Sequence, residues 1–257
     1  PSNGSQKDGS TSIPRSTSSD ARCAMKAVIL AGGKGSRLAP YTTVLPKPLM
    51  PIVDTPILEI VLKQLKRAGF DEAVIAVGHL ASLIRTYFGD GSELGIRISY
   101  AHEATPLGTA GPLANIETLT ETFLVMNGDI LTDLDYADLV KHHRGSGAIM
   151  TIATHKRTVK IDFGVLETAD GAVSRYVEKP TLDYVVSMGI YVMEPRVRDV
   201  IKHGEYLDLP DLVRLLLTSG EDVKAYPFDG RWLDIGRQED FNEAQVRFDE
   251  DRHHFLK

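Results

Sequence analysis

The chain has 257 residues, a formal net charge of −6 and a hydrophobic fraction of 42%, which suits one α/β domain with a sizeable core. The mildly acidic balance argues against a general nucleic-acid or membrane-surface binder, while leaving room for a local basic pocket. Cys23 is the sole cysteine, so an internal disulfide and a cysteine-rich zinc site are excluded, and the expected setting is the reducing cytoplasm.

Residues 1–24 are dominated by Ser, Thr, Gly and Pro and read as a disordered leader, with no secretory apolar core and Met25 as a natural start. "KAVILA" at 26–31 reads as a buried strand that meets Gly32. "TPILEIVLKQLKRAGF" predicts a helix capped by Thr55, with Pro56 in its first turn, Ile57, Val61, Leu65 and Ala68 on one face, and Gly69 at its end. A second buried strand follows at 73–77, a short helix at about 81–88, and a strand from Ile96. A further helix is expected from near Thr109 to about Leu119, then a buried strand at 123–127.

After about Asp135 the pattern becomes strand-rich. Strands are expected from Ala148, Phe163, Ala172, Val186 and Val223, with helices at 210–218 and from near Gln238, and a frayed "HHFLK" end. This alternation predicts an α/β fold: a Rossmann-like mixed, mainly parallel sheet flanked by helices, whose second half extends the sheet and covers its crevice. The histidines show no metal-ligand spacing, and "HH" at His142 and at His253 reads as solvent-facing. Asp133 and Asp135 read as turn or helix-cap carboxylates.

"LAGGKGSRLAPYTTVLPKPL" at 30–49 leaves the carboxyl end of the first strand, where open α/β sheets bind ligands. Gly32, Gly33 and Gly35 bare the backbone so that N–H groups can approach an anion. Arg37 adds a fork of donors and Lys47 a point charge stiffened between Pro46 and Pro48. A phosphate-rich ligand fits this set, although a glycine turn with solvated charges fits the loop equally well. Neither a Walker loop nor a G-x-G-x-x-G fingerprint occurs there.

The complete string resembles the signature of sugar-1-phosphate nucleotidyltransferases, the nucleoside-diphosphate-sugar pyrophosphorylases. "PLGTAG" at 106–111, "MNGD" at 126–129, "EKP" at 178–180 and "WLDIG" at 232–236 follow in the same order. The resemblance covers Met25 to about Gln245. It implies the nucleotide-diphospho-sugar transferase fold, as one domain over 25–257 with a nucleotide-binding half to about 135 and a sugar-phosphate-binding half over about 136–245. It implies that an NTP and a sugar 1-phosphate give an NDP-sugar and pyrophosphate, with Mg²⁺ as cofactor.

By the same resemblance, Arg37 and Lys47 are catalytic. Leu30, Ala31, Gly32, Gly33, Gly35, Ser36, Glu103, Gly108 and Thr109 bind the nucleotide. Gly164, Glu178 and Lys179 bind the sugar phosphate, and Asp129 and Asp234 hold the metal. Taken alone, Asp129 reads as a turn aspartate, Asp234 as a turn residue beside a packed Trp232, and Glu178–Lys179 as a solvated pair. Pro180 is expected to hold Lys179 extended, aimed away from Glu178.

Glu103 precedes the glycine–threonine turn where relatives using thymidine or uridine triphosphates carry glutamine. Guanine shows two adjacent donors, which an ionised carboxylate accepts, so GTP is favoured. UTP, dTTP, CTP and ATP stay open, as does a surface-loop role for Glu103. Mannose 1-phosphate is the default acceptor, with other hexose, heptose or cyclitol phosphates open. Ser187, Ser36 and Ala39 stand where relatives often have Asn, Thr and Arg. The chain is expected to be too short for an appended β-helix and to have a single function. A homo-oligomer is compatible with the sequence. The reading of another class is a non-catalytic nucleotide-sugar sensor.

Overall fold

The computed structural model describes residues 1, 25–103 and 105–256 of the chain. The leader expectation and Cys23 lie outside them.

In chain order the strands and helices are β1 (Met25–Ala31), β2 (Pro51–Ile52), β3 (Thr55–Pro56), α1 (Ile57–Arg67), β4 (Phe70–Val77), α2 (Ala81–Phe88), β5 (Arg97–His102), β6 (Phe123–Asn127) and β7 (Ile130–Thr132). Then come α3 (Tyr136–Ser146), β8 (Met150–Lys160), β9 (Val165–Ala169), β10 (Ala172–Val177), β11 (Thr181–Met193), α4 (Leu209–Thr218), β12 (Val223–Phe228), β13 (Trp232–Asp234) and α5 (Gln238–Phe255). Seven strands form one sheet in the order β12-β8-β11-β6-β1-β4-β5. The pairs β6–β1, β1–β4, β4–β5 and β12–β8 are parallel, while β11 runs antiparallel to both neighbours. The expected mixed, mainly parallel α/β sheet is therefore present.

The central strands are apolar because both faces are covered. Ala27, Val28 and Ile29 of β1 are all fully buried, and their alternating side chains feed two separate cores. One core joins α1, α2 and α3 to the sheet through residues such as Leu62, Leu65, Ile75 and Leu139. The other packs α4 and the 106–120 segment through Leu113, Val125 and Leu212. A third cluster seats α5 on α1, with Ile60, Phe248 and Phe255 at its centre.

Several local expectations are corrected. Thr55 does not cap α1: it lies in β3, its hydroxyl donates to Asp54, and Pro56 is the N-cap. The helix expected over 109–119 is reduced to a 3-10 turn at Gly111–Asn115. Its would-be first-turn donors are committed elsewhere. The amides of Ala110 and Gly111 donate to the Leu207 carbonyl, and the Thr109 amide and hydroxyl donate to Asp208. Lys179 is not extended; its φ is +46°.

His142 is exposed as expected, but His143 is buried at 1% exposure. Its Nδ1 contacts the Thr151 hydroxyl at 2.7 Å and its Nε2 contacts Glu194 at 3.1 Å. Burial lowers its pKa, with Glu194 opposing. The strand-rich reading past Asp135 missed α3, whose N-cap Asp135 accepts from the amides of Ala137 and Asp138.

The chain end is also anchored rather than frayed as far as Leu256. Phe255 is 1% exposed and stacks on Phe248 with ring centroids 5.9 Å apart. The Phe255 carbonyl accepts from Gln64, whose amide also donates to the Thr132 carbonyl of β7. Phe255→Ala is therefore expected to cost about 3–5 kcal/mol, read as a lowered midpoint in denaturant unfolding. A surface-like change of under half a kcal/mol would show that the tail is not part of the core.

Candidate active site

A cavity of about 400 Å³ opens at the carboxyl ends of β1, β4 and β6. Leu30, Ala31 and Ala76 supply strand ends, and Asn127, Gly128 and Asp129 leave β6. Gly32, Gly33, Gly35, Arg37 and Lys47 come from the glycine loop. Glu103, Gly108 and Thr109 close the opposite wall. Among the residues singled out from sequence, Ser36 does not line it, and Asp234 lines a neighbouring cavity instead.

The loop is shaped by its own side chains. Gly35 has φ +61°, and a Cβ there would meet the Thr42 methyl at 2.9 Å and the Lys47 Cβ at 3.3 Å. Thr42 Oγ1 in turn donates to the Gly35 carbonyl at 2.8 Å. These contacts tie the glycine turn to the segment that carries Lys47. A Cβ on Gly32 would reach 2.9 Å from Glu103 Oε1, so only a bare backbone lets these two walls approach.

Lys47 forms an ion pair with Asp129 Oδ2. Asp129 Oδ1 is buried and has no hydrogen-bond partner. An orphaned buried acceptor costs about 1–3 kcal/mol, which a bound cation would recover. The three-residue pairing of β7 with β13 sets Asp234 opposite Ile130, and the Ile235 amide donates to the Asp129 carbonyl at 3.1 Å. Asp234 is open to solvent on one side. Loss of hydration on its inner side, and then repulsion from Asp129, raise its pKa above 3.8, while Lys47 and Arg37 oppose that rise.

Among the described residues no three His, Cys, Asp or Glu side chains gather as a metal-binding set. Two carboxylates, one with an idle oxygen, nonetheless fit Mg²⁺, which keeps water and phosphate oxygens in its other positions.

Glu103 Oε2 accepts from the Leu107 amide at 3.0 Å. Burial raises the pKa of this carboxyl, and the Leu107 bond and His102 partly offset that. Beside Thr109, Tyr206 and Asp208 also line the cavity; neither was singled out from sequence. Asp208 accepts from the Tyr206 hydroxyl at 2.8 Å and from the Thr109 amide and hydroxyl at 3.0 and 3.1 Å. It sits at the N-cap of α4 without bonding to that helix through its side chain. Its bond to Thr109, 99 residues away, leaves no local signal in the sequence.

Gly164, Glu178 and Lys179 line neither cavity. They lie around the β9–β10 hairpin, where Glu178 accepts from the Tyr176 hydroxyl at 2.5 Å. Ser187 serves the β11 bulge, donating to the Tyr191 hydroxyl and accepting from the Gly189 amide.

Residues 26–251 match the model of the family described as Nucleotidyl transferase. The chain is 39% identical over 241 residues to a UTP–glucose-1-phosphate uridylyltransferase of Synechocystis sp., covering 86% of this chain and 62% of that protein. It is 35% identical over 226 residues to the mannose-1-phosphate guanyltransferase beta-A of Xenopus laevis, covering 84% of this chain and 62% of that protein. The chain thus spans under two thirds of the length of these relatives. The structure of HddC from Yersinia pseudotuberculosis shares the fold, with a TM-score of 0.68 at 24% identity, covering 87% of this chain and 99% of that one. By its motifs, its sheet and the match along nearly all of its described length, the chain belongs to the nucleotidyl transferase family, among the sugar-1-phosphate nucleotidyltransferases.

Proposed function

We propose that this chain transfers a nucleotidyl group from an NTP to a sugar 1-phosphate, releasing pyrophosphate and leaving an NDP-sugar. The observation that carries the reading is the meeting of Lys47, Asp129 and Asp234 beside the bare glycine loop, with one Asp129 oxygen unsatisfied.

The nucleophile is a phosphate oxygen, already ionised near neutral pH because the second pKa of a phosphomonoester is about 6. No protein base is required. That oxygen forms a bond to the α-phosphorus, the bridging bond to the β-phosphate breaks, and the electron pair leaves with pyrophosphate. The obstacle is repulsion between two anions that must meet in line, so catalysis is positioning and charge neutralisation. Gly32, Gly33 and Gly35 offer backbone donors to the triphosphate, with Leu30, Ala31, Gly108 and Thr109 around the nucleoside; Ser36 is assigned to the nucleotide by motif alone. Arg37 holds phosphate oxygens and Lys47 steadies the α-phosphate. Asp129 and Asp234 would hold Mg²⁺, which when bound supplies positive charge at the phosphates. Gly164, Glu178 and Lys179 are assigned to the sugar phosphate by motif alone.

GTP is favoured because the Glu103 carboxylate can accept the N1–H and N2–H₂ donors of guanine. A second reading, UTP, draws on a specific observation. One Glu103 oxygen already accepts from Leu107, so only the other is left uncommitted for the paired donors of guanine. Mannose 1-phosphate and glucose 1-phosphate are the first acceptors to try, since relatives bearing these names flank the chain in similarity.

Pyrophosphate release, measured with each NTP against a panel of sugar 1-phosphates and Mg²⁺, is expected to show turnover with GTP. Turnover with UTP or dTTP but not GTP would overturn the guanine preference. No turnover with any pair would favour a nucleotide-sugar sensor. Asp129→Asn is expected to cut turnover about a hundredfold or more with little loss of stability; unchanged turnover would remove it from the site.

The raised pKa of Asp234 also predicts a pH signature. Its folded-state value lies above the unfolded 3.8, so the ionised carboxyl weakens the fold above the raised value. That penalty is relieved as pH falls through the raised value towards 3.8. Asp234→Asn should therefore melt higher than wild type at pH 7 without divalent ion, and the gap should close in acid. Mg²⁺ should raise the melting temperature of the wild type and not of Asp129→Asn. Equal Mg²⁺ shifts in both proteins would exclude Asp129 as a ligand.

A further inference from the structure

The cavity wall that carries Gly108 and Thr109 is a turn held from a distant part of the chain. The Leu207 amide donates to the Leu107 carbonyl at 2.9 Å, and the Leu207 carbonyl accepts from the amides of Ala110 and Gly111 at 2.8 and 3.1 Å. Gly108 has φ +78°, and a Cβ there would come within 2.5 Å of the Leu207 carbonyl oxygen and 2.9 Å of Asp208 Oδ1. Only a bare backbone lets the two segments touch.

Asp208 completes this clasp with its side chain. An aspartate at a helix N-cap ordinarily accepts from amides of the first turn. Asp208 precedes α4 and makes no such bond. Its Oδ1 accepts instead from the amide and the hydroxyl of Thr109, and that hydroxyl accepts in turn from the Leu209 amide at 2.8 Å. Its Oδ2 accepts from the Tyr206 hydroxyl. Both carboxylate oxygens are therefore committed, and the helix forgoes a cap usually worth about 1 kcal/mol.

The four residues of this set, Gly108, Thr109, Tyr206 and Asp208, all line the cavity. Among the described residues, none of the hydrogen bonds of the Asp208 side chain reaches the glycine loop or Lys47. The clasp thus acts on one end of the cavity and leaves the other to its own contacts.

We propose that Asp208 is a positioning residue for nucleotide binding. Through Thr109 it fixes the Gly108–Thr109 wall before the ligand arrives, so the nucleoside end of an NTP meets a preformed surface. A wall ordered in advance spares binding the entropy of ordering it. This rests on the nucleotidyl-transfer reading above.

Calorimetric titration tests it. GTP, UTP and inorganic tripolyphosphate, each with Mg²⁺, are titrated into wild type, D208A, D208N, T109V and the D208A/T109V double variant. Tripolyphosphate reports on the glycine loop without engaging the nucleoside wall. D208A is expected to weaken whichever nucleotide the wild type binds by about tenfold or more, and to leave tripolyphosphate affinity unchanged. D208N keeps Oδ1 as an acceptor and should recover most of the loss. In the T109V background, D208A should add little, because the two side chains act as one unit.

Equal nucleotide affinity in wild type and D208A overturns the proposal while leaving the nucleotidyl-transfer reading intact. A parallel loss of tripolyphosphate makes Asp208 a residue of the general fold, and additive losses in the double variant make it independent of Thr109; either result overturns the positioning role. No nucleotide bound by the wild type fails the reading itself, and the proposal with it.

Discussion

Two carboxylates are held in each other's field by a pairing of only three residues. β7 and β13 join antiparallel, and the backbone bond from Ile235 to Asp129 locks the register, so Asp129 and Asp234 have little freedom to move apart. Lys47 partly offsets their repulsion, and burial first, with that repulsion second, raises the pKa of Asp234. Such an arrangement costs stability in the absence of ligand, and proteins retain that kind of cost mostly where binding recovers it. The rest of the site is arranged around this pair: the glycine loop brings Lys47 to it, and Arg37 stands between the two cavities.

The sheet explains why the loop and the acids meet. β1 and β6 are parallel neighbours, so the glycine loop and the Asn127–Asp129 segment leave the same edge. The second half of the chain then contributes across that edge. β11 and β8 extend the sheet beyond β6, and the 205–208 segment folds back so that Asp208 and Leu207 hold the Gly108–Gly111 turn. The cavity at the ends of β1, β4 and β6 is thus not the property of the first half alone; Tyr206 and Asp208 are part of its wall.

Much of this was legible in the sequence, for a physical reason. Strands buried on both faces leave continuous apolar runs, so β1, β4 and β6 were read from those runs, and the buried face of α1 from its periodicity. What escaped was set by contacts between distant segments. The Thr109–Leu119 stretch has helix-compatible residues, yet its amides are taken by Leu207 and Asp208. The last residues look like a polar tail, yet Phe255 finds Phe248 one helix face away and Gln64 across the chain. His143 sits in a polar pair on paper and in a closed network with Thr151 and Glu194 in the fold. In the site, the glycine loop, Lys47 and Asp129 were readable from motif and strand end. The neighbouring cavity was not, because its lining is gathered from β8, β13 and the start of α5, which lie far apart in the chain.

The bifurcated amide of Gln64 has a mechanical implication. One nitrogen holds the carbonyl of Thr132, three residues beyond Asp129, and the carbonyl of Phe255 at the end of α5. The terminal helix and β7, the strand that follows Asp129, are therefore stapled to a common point on α1. Any push on that helix, from whatever touches its outer surface, is transmitted within two hydrogen bonds to the ribbon that spaces the carboxylates, so a remote event there can alter their separation without entering either cavity.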